Sequence, residues 1–141
     1  MFQLADFYDY AEENDVDVIP YIGMPRPAAT LRAGDHYAVA IDFSKIDTTR
    51  QLRSMCMHEQ GHCMTGALHK VDSPFELVER MEHRAHRAVI ERYLTPADFQ
   101  KAFDAGYTEL WELEEWFDLP QEDILRAYHY WTVCKGMHLN I

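Results

Sequence analysis

The sequence predicts an α+β fold: one helix, a small sheet, then helices only. Three observations carry that expectation. Apolar residues recur at helical spacing in the first dozen residues and again from about residue 50 onward, whereas residues 36–43 between them alternate with a period of two. The length of 141 residues is that of one domain, since domains cluster near ~100–150 residues. At 48% hydrophobic and 13% aromatic, the chain has the apolar mass of a packed core, which excludes intrinsic disorder.

Each element has its own signal. Over residues 3–13, Leu4, Phe7, Tyr8 and Ala11 fall at i, i+3, i+4 and i+7, and residues 15–17 end the helix. Residues 18–22 read as a short strand, with Pro20 marking an edge or a bulge. After a loop at 23–27, residues 28–32 and 36–43 flank the turn Ala33-Gly34-Asp35 and read as a hairpin. In its second strand Tyr37, Val39 and Ile41 alternate with Ala38, Ala40 and Asp42. The strands should therefore form a small, mostly antiparallel sheet. Thr48 or Thr49 can cap a helix over about 50–65. Ser73-Pro74 followed by Glu76 has the form of an N-cap, a first-position proline and a capping-box glutamate, for a helix from 74 to about 93. Thr95-Pro96 opens a helix ending near Gly106, and residues 108–117 and 120 to about 136 complete the set. No repeat, low-complexity tract or linker interrupts the single domain expected over residues 1–141.

Charge and cysteine usage exclude several partners. The 24 acidic and 13 basic residues give a formal charge of -11, which repels phosphate backbones and anionic headgroups; direct nucleic-acid binding and membrane association are not expected. No apolar run approaches the ~20 residues of a transmembrane helix. The first fifteen residues have neither the basic n-region nor the apolar h-region of a signal peptide. Three cysteines, an odd number, do not make a disulfide framework, so a reduced, cytoplasmic location is expected.

Residues 55–63, MCMHEQGHC, carry the chemistry. His58 and His62 are four apart; on a helix that is about 400° of rotation, so the imidazoles sit about 40° apart and one turn up, able to bite one metal ion. Glu59 lies between them. This is the H-E-x-x-H arrangement of two zinc ligands and a carboxylate that takes a proton from a water. A catalytic zinc ordinarily has a third protein ligand and an open position. His69 is one candidate, but the metzincin spacing fails: its glycine and third histidine would fall on Thr65 and Leu68. Acids on the next helix, Glu76, Glu79 and Glu82, are the better candidates; Glu79 and Glu82, three apart, share a face. Cys56 and Cys63 lie about 100–160° round the helix from the histidines, which makes them core thiols rather than ligands.

These residues resemble the ImmA/IrrE family of metallopeptidases. The resemblance covers roughly residues 50–130. It starts at His58-Glu59-Gln60-Gly61-His62, with glycine before the second histidine, and continues with Glu82-His83-Arg84-Ala85-His86-Arg87-Ala88-Val89, similar to the family's E-x-x-A helix. Leu94-Thr95-Pro96 matches its closing proline, and residues 102–120 are similar to its tail. Arg84 replaces the acid usual before the alanine, and Ala88 the aromatic usual three after it. The resemblance implies a minimal zincin-like α+β domain and a zinc-dependent endopeptidase. It implies Zn2+ held by His58, His62 and Glu82, with Glu59 as the catalytic base. By spacing alone, Glu79, three before Glu82, and His86, four after it, stay open as alternative ligand or oxyanion helper. Family members cleave helix-turn-helix repressors, often in prophages, mobile elements or stress responses. Such a substrate is basic, and an acidic chain suits it.

Tyr37, His83, His86 and Tyr93 are further candidate polar helpers for the oxyanion, and residues 36–42 a candidate strand for pairing with an extended substrate. Arg80, Arg84 and Arg87 read as a salt-bridged helix face. Residues 108–130 superficially resemble half a helix-turn-helix, but from Ala102 to Leu125 there are eight acids and no base, which excludes DNA contact there. Two other functions stay open on the sequence. One is a non-catalytic zincin-scaffold module binding a repressor or antitoxin partner. The other is a structural metal site closed by His69 or His86.

Overall fold

The computed structural model describes residues 1–68 and 73–139. Its first helix, α1 (Leu4–Glu13), buries Phe7 and Ala11 and opens on a capping box between Gln3 and Asp6. Strands β1 (Asp17–Pro20), β2 (Ala28–Ala33) and β3 (His36–Ile41) follow, in the order β1-β3-β2. β2 and β3 form the expected antiparallel hairpin, from Ala28↔Ile41 to Ala33↔His36.

β1, however, runs parallel to β3, so the sheet is mixed rather than mostly antiparallel. Pro20 and Ala28 both pair with Ile41, so residues 21–27 cross over the end of β3 from one edge to the other. Alternation shows which side chains share a face, not the direction of the neighbouring strand. Asp42 anchors the crossing. Fully buried, its carboxylate accepts the Ser44 hydroxyl (2.5 Å) and the backbone N–H groups of Ser44 (3.1 Å), Gly23 (3.0 Å) and Met24 (3.2 Å). The Ser44 hydroxyl first, then the backbone donors, hold that carboxyl below the usual carboxylate range.

Helix α2 (Thr49–Thr65) is capped by Thr48, whose hydroxyl accepts Gln51 N–H at 3.0 Å. It packs against α1, β2 and α3 (Phe75–Tyr93). Flanked on several sides, it buries Arg53, Glu59, Gln60 and His62 beside Cys56, Met57 and Cys63. Buried polar groups must find partners. Arg53 donates to the carbonyls of Phe2 (2.6 Å), Asp118 (2.9 Å) and Phe117 (3.2 Å), tying the N-terminal segment to the end of a later helix. Arg53→Ala leaves those carbonyls unsatisfied and should cost about 2 kcal/mol, read as a shift in the chemical-denaturation midpoint; an unchanged midpoint would contradict this role.

The rest is helical: α3, α4 (Pro96–Asp104), α5 (Leu110–Phe117) and α6 (Gln121–His129). Pro74, not Ser73, is the N-cap of α3, and no side chain caps it. Thr95 and Asp98 form a capping box on α4. α6 does not continue as an α-helix to residue 136. It widens into a π-helical turn, Tyr130–Cys134, where the Trp131 indole donates to Leu94 O at 2.7 Å. No helix among the described residues is long and apolar enough to cross a membrane.

The core gathers Phe2, Phe7, Ile41, Phe99, Phe117 and Leu119 into one cluster that also takes in Cys56 and Cys63. Burial first, then the negative field of Glu59, pushes the Cys56 thiol up to about 12 and the Cys63 thiol up to about 11. Cys134 is exposed. A thiol reagent at neutral pH should therefore modify one cysteine fast in the native protein, lost in Cys134→Ser, and the other two only on unfolding. Three fast thiols would contradict the core placement.

Candidate metal centre

The site is made where α2 crosses α3. Gly61 sits at the crossing: a Cβ there would lie 2.4 Å from Ala85 O and 3.2 Å from Val89 Cγ1, so only glycine lets the two backbones approach this closely. The crossing sets His58 and His62, on α2, against Glu82, one turn before Ala85 on α3. His58 Nε2 is 2.8 Å from Glu82 Oε2, His62 Nε2 is 3.3 Å from Glu82 Oε1, and the two Nε2 atoms are 3.1 Å apart.

Those spacings fit a metal ion. Tetrahedral ligand atoms about 2.1 Å from zinc stand roughly 3.4 Å from one another. His58, His62 and Glu82 are the one group of three His, Cys, Asp or Glu residues among the described residues whose ligand atoms gather in this way. His62 Nδ1 is 2.6 Å from Ala67 O, which directs Nε2 into the site. Gly66 makes that bond available: left-handed (φ 65°), it ends α2 and turns Ala67 back along the helix. His58 Nδ1 is buried with no hydrogen-bond partner among the described residues, and its ring instead packs on His86, centroids 4.5 Å apart.

Without a metal, Glu82 lies between two imidazoles. Hydrogen bonds from His58 first and His62 second outweigh burial and hold its carboxyl well below the usual carboxylate range. Burial lowers the pKa of His62, but the Glu82 hydrogen bond and the Ala67 carbonyl outweigh it, and the net shift is upward. Zinc ligation needs neutral imidazoles, so metal binding at this site would be coupled to proton release.

Glu59 is buried beside the histidines. The Thr30 hydroxyl of β2 lies 3.4 Å from its Oε1 and 3.3 Å from its carbonyl oxygen. A cleft of about 170 Å³ opens in front, lined by Arg26, Pro27, Ala28 and Thr30 on one side and by His58, Glu59, His62 and Glu82 on the other. The helix carrying the motif is thus not a solvated surface helix.

The other candidates fall elsewhere. Glu79 is exposed and outside the three-residue cluster. His86 meets His58 through its ring face and does not line the cleft. Burial first, then His58 and Arg126, pushes His86 down to about 3. The Tyr93 hydroxyl is taken up by Gln60 Nε2 at 2.6 Å, the Tyr37 hydroxyl lies against Gly66, and His83 is exposed outside the cleft. Residues 36–42 cannot pair with a substrate, because β3 is the middle strand; among the described residues the edge strand beside the cleft is β2. His69 lies outside the described residues. Thr30, Arg26 and Ala67 escaped the sequence reading. Their spacing in the chain gives no signal, since strand β2, the loop crossing and the helix end respectively bring them to the site.

Comparison of the chain with protein-family models, with characterised proteins and with solved structures gave no match.

Proposed function

We propose that this chain is a zinc-dependent endopeptidase, and that its substrate is a basic helix-turn-helix protein of the repressor type. The observation that carries the reading is the convergence of His58, His62 and Glu82 within metal-ligating distance, with the Glu59 carboxylate beside them in an open cleft. A zinc ion held there lowers the pKa of water and polarises a carbonyl.

The chain's own residues do the rest. Glu59, aimed into the cleft, takes a proton from the attacking water and returns it to the leaving amine. The β2 edge, with Thr30 and Ala28 at the cleft, offers backbone groups to an extended peptide. Arg26 supplies a positive charge at the mouth, where the scissile carbonyl gains negative charge. The formal charge of -11 supports a basic partner. The test is co-expression with a basic helix-turn-helix repressor, taken from beside this chain's gene where one is encoded there. Wild type should clip it in a zinc-dependent way, at one or a few sites. Clipping that is indifferent to a chelator would overturn the reading.

A further inference from the structure

A second hollow, of about 130 Å³, lies between α3, α6 and the turn that follows α6. It shares a wall with the metal centre: His86 lines the hollow, and its ring packs on His58, which lines the cleft. In a chain with 24 acidic and 13 basic residues its lining reverses the sign. Arg87, Arg126, His83, His86 and His129 border it, and no carboxylate among the described residues does. Two acids bind residues of the lining itself, and the first offsets one of its cations. Asp123 holds Arg126 Nη1 at 2.9 Å, and Glu91 accepts the Tyr130 hydroxyl. The Lys135 ammonium stands 5.6 Å from the Tyr130 ring and adds to the positive field. Ile90 and the Tyr130 ring make an apolar wall.

Cys134 Sγ is 3.8 Å from His129 Nδ1, but these side chains do not gather as metal ligands; the one such cluster among the described residues is His58, His62 and Glu82. The hollow is mostly apolar, with the guanidinium of Arg87 and the imidazoles of His83 and His129 at its border, which suits a molecule with an organic body and an anionic head instead. Guanidinium forks match phosphate oxygens, imidazole N–H groups add single donors, and the apolar wall suits an organic substituent.

We propose that this hollow binds a phosphate group, carried as a phosphomonoester whose organic part lies against Ile90 and Tyr130. Isothermal titration at constant ionic strength tests it, with inorganic phosphate and phenyl phosphate as probes, each with and without added zinc. Both probes should saturate, phenyl phosphate more tightly. Arg87→Gln and Arg126→Gln should each weaken binding by about tenfold. Arg80→Gln, exposed on the same helix outside the hollow, should bind like wild type. Arg87 is exposed, so its variant folds independently of any loss of the Arg126–Asp123 pair. Equal affinities for the two probes would assign free phosphate as the ligand of the same site. Binding unchanged in Arg87→Gln, or present only with zinc, would overturn the proposal, the latter by moving the anion to the metal centre.

Discussion

Glu59→Gln should leave the fold and the zinc content intact and lower the cleavage rate by about 10²–10⁴-fold. The substitution keeps the shape and removes the base. Glu59 is not among the three gathered ligand residues, so zinc affinity should hold. Its buried carboxylate faces the cleft and, among the described residues, makes one long contact, to the Thr30 hydroxyl, so an amide of the same size fits without a lost ion pair. The assay is the rate of repressor clipping, with zinc content and circular dichroism measured on the same samples. The variant should bind the repressor without cutting it. A rate equal to wild type would contradict the proton-transfer role. Wild type and variant that both bind and never cut would favour the non-catalytic module.

Gly61→Ala should be the most damaging single methyl at the site. Its Cβ would sit 2.4 Å from Ala85 O and 3.0 Å from Ala85 C, and both are backbone atoms that no rotamer change can move. The two helices must separate or slide. Overpacking of this kind costs roughly 3 kcal/mol. Because His62 follows Gly61 and Glu82 precedes Ala85 by three, the same shift opens the ligand triangle. Zinc affinity should then fall by about 10–100-fold, the range seen when support behind the ligands of a metal site is disturbed. Denaturation midpoints and competitive zinc titration measure the two effects. Wild-type values for both would mean that the crossing does not set the site.

Much of this was legible in the chain because it is encoded locally. The spacing of His58 and His62 needs only the helix repeat, and the hairpin of β2 and β3 needs only its turn and alternation. What escaped depends on encounters between distant segments. The parallel direction of β1 is decided by the crossing at residues 21–27 and its Asp42 anchor, neither of which leaves a periodic trace. Spacing alone left Glu79 beside Glu82; the resemblance favoured Glu82, and the α2–α3 crossing brings Glu82 and not Glu79 to the histidines. The same is true of Arg53, whose partners lie some fifty and sixty-five residues away in the chain.

Zinc content tests the central claim most directly. Purified wild type, equilibrated with zinc and desalted, should retain about one ion per chain, and His62→Ala and Glu82→Ala should each lose most of it, since each removes one of the three proposed ligands. Glu79→Ala, altering an exposed residue outside the cluster, should retain the wild-type amount. Equal zinc in wild type and His62→Ala would contradict the assignment of this centre, as would loss in Glu79→Ala with retention in Glu82→Ala.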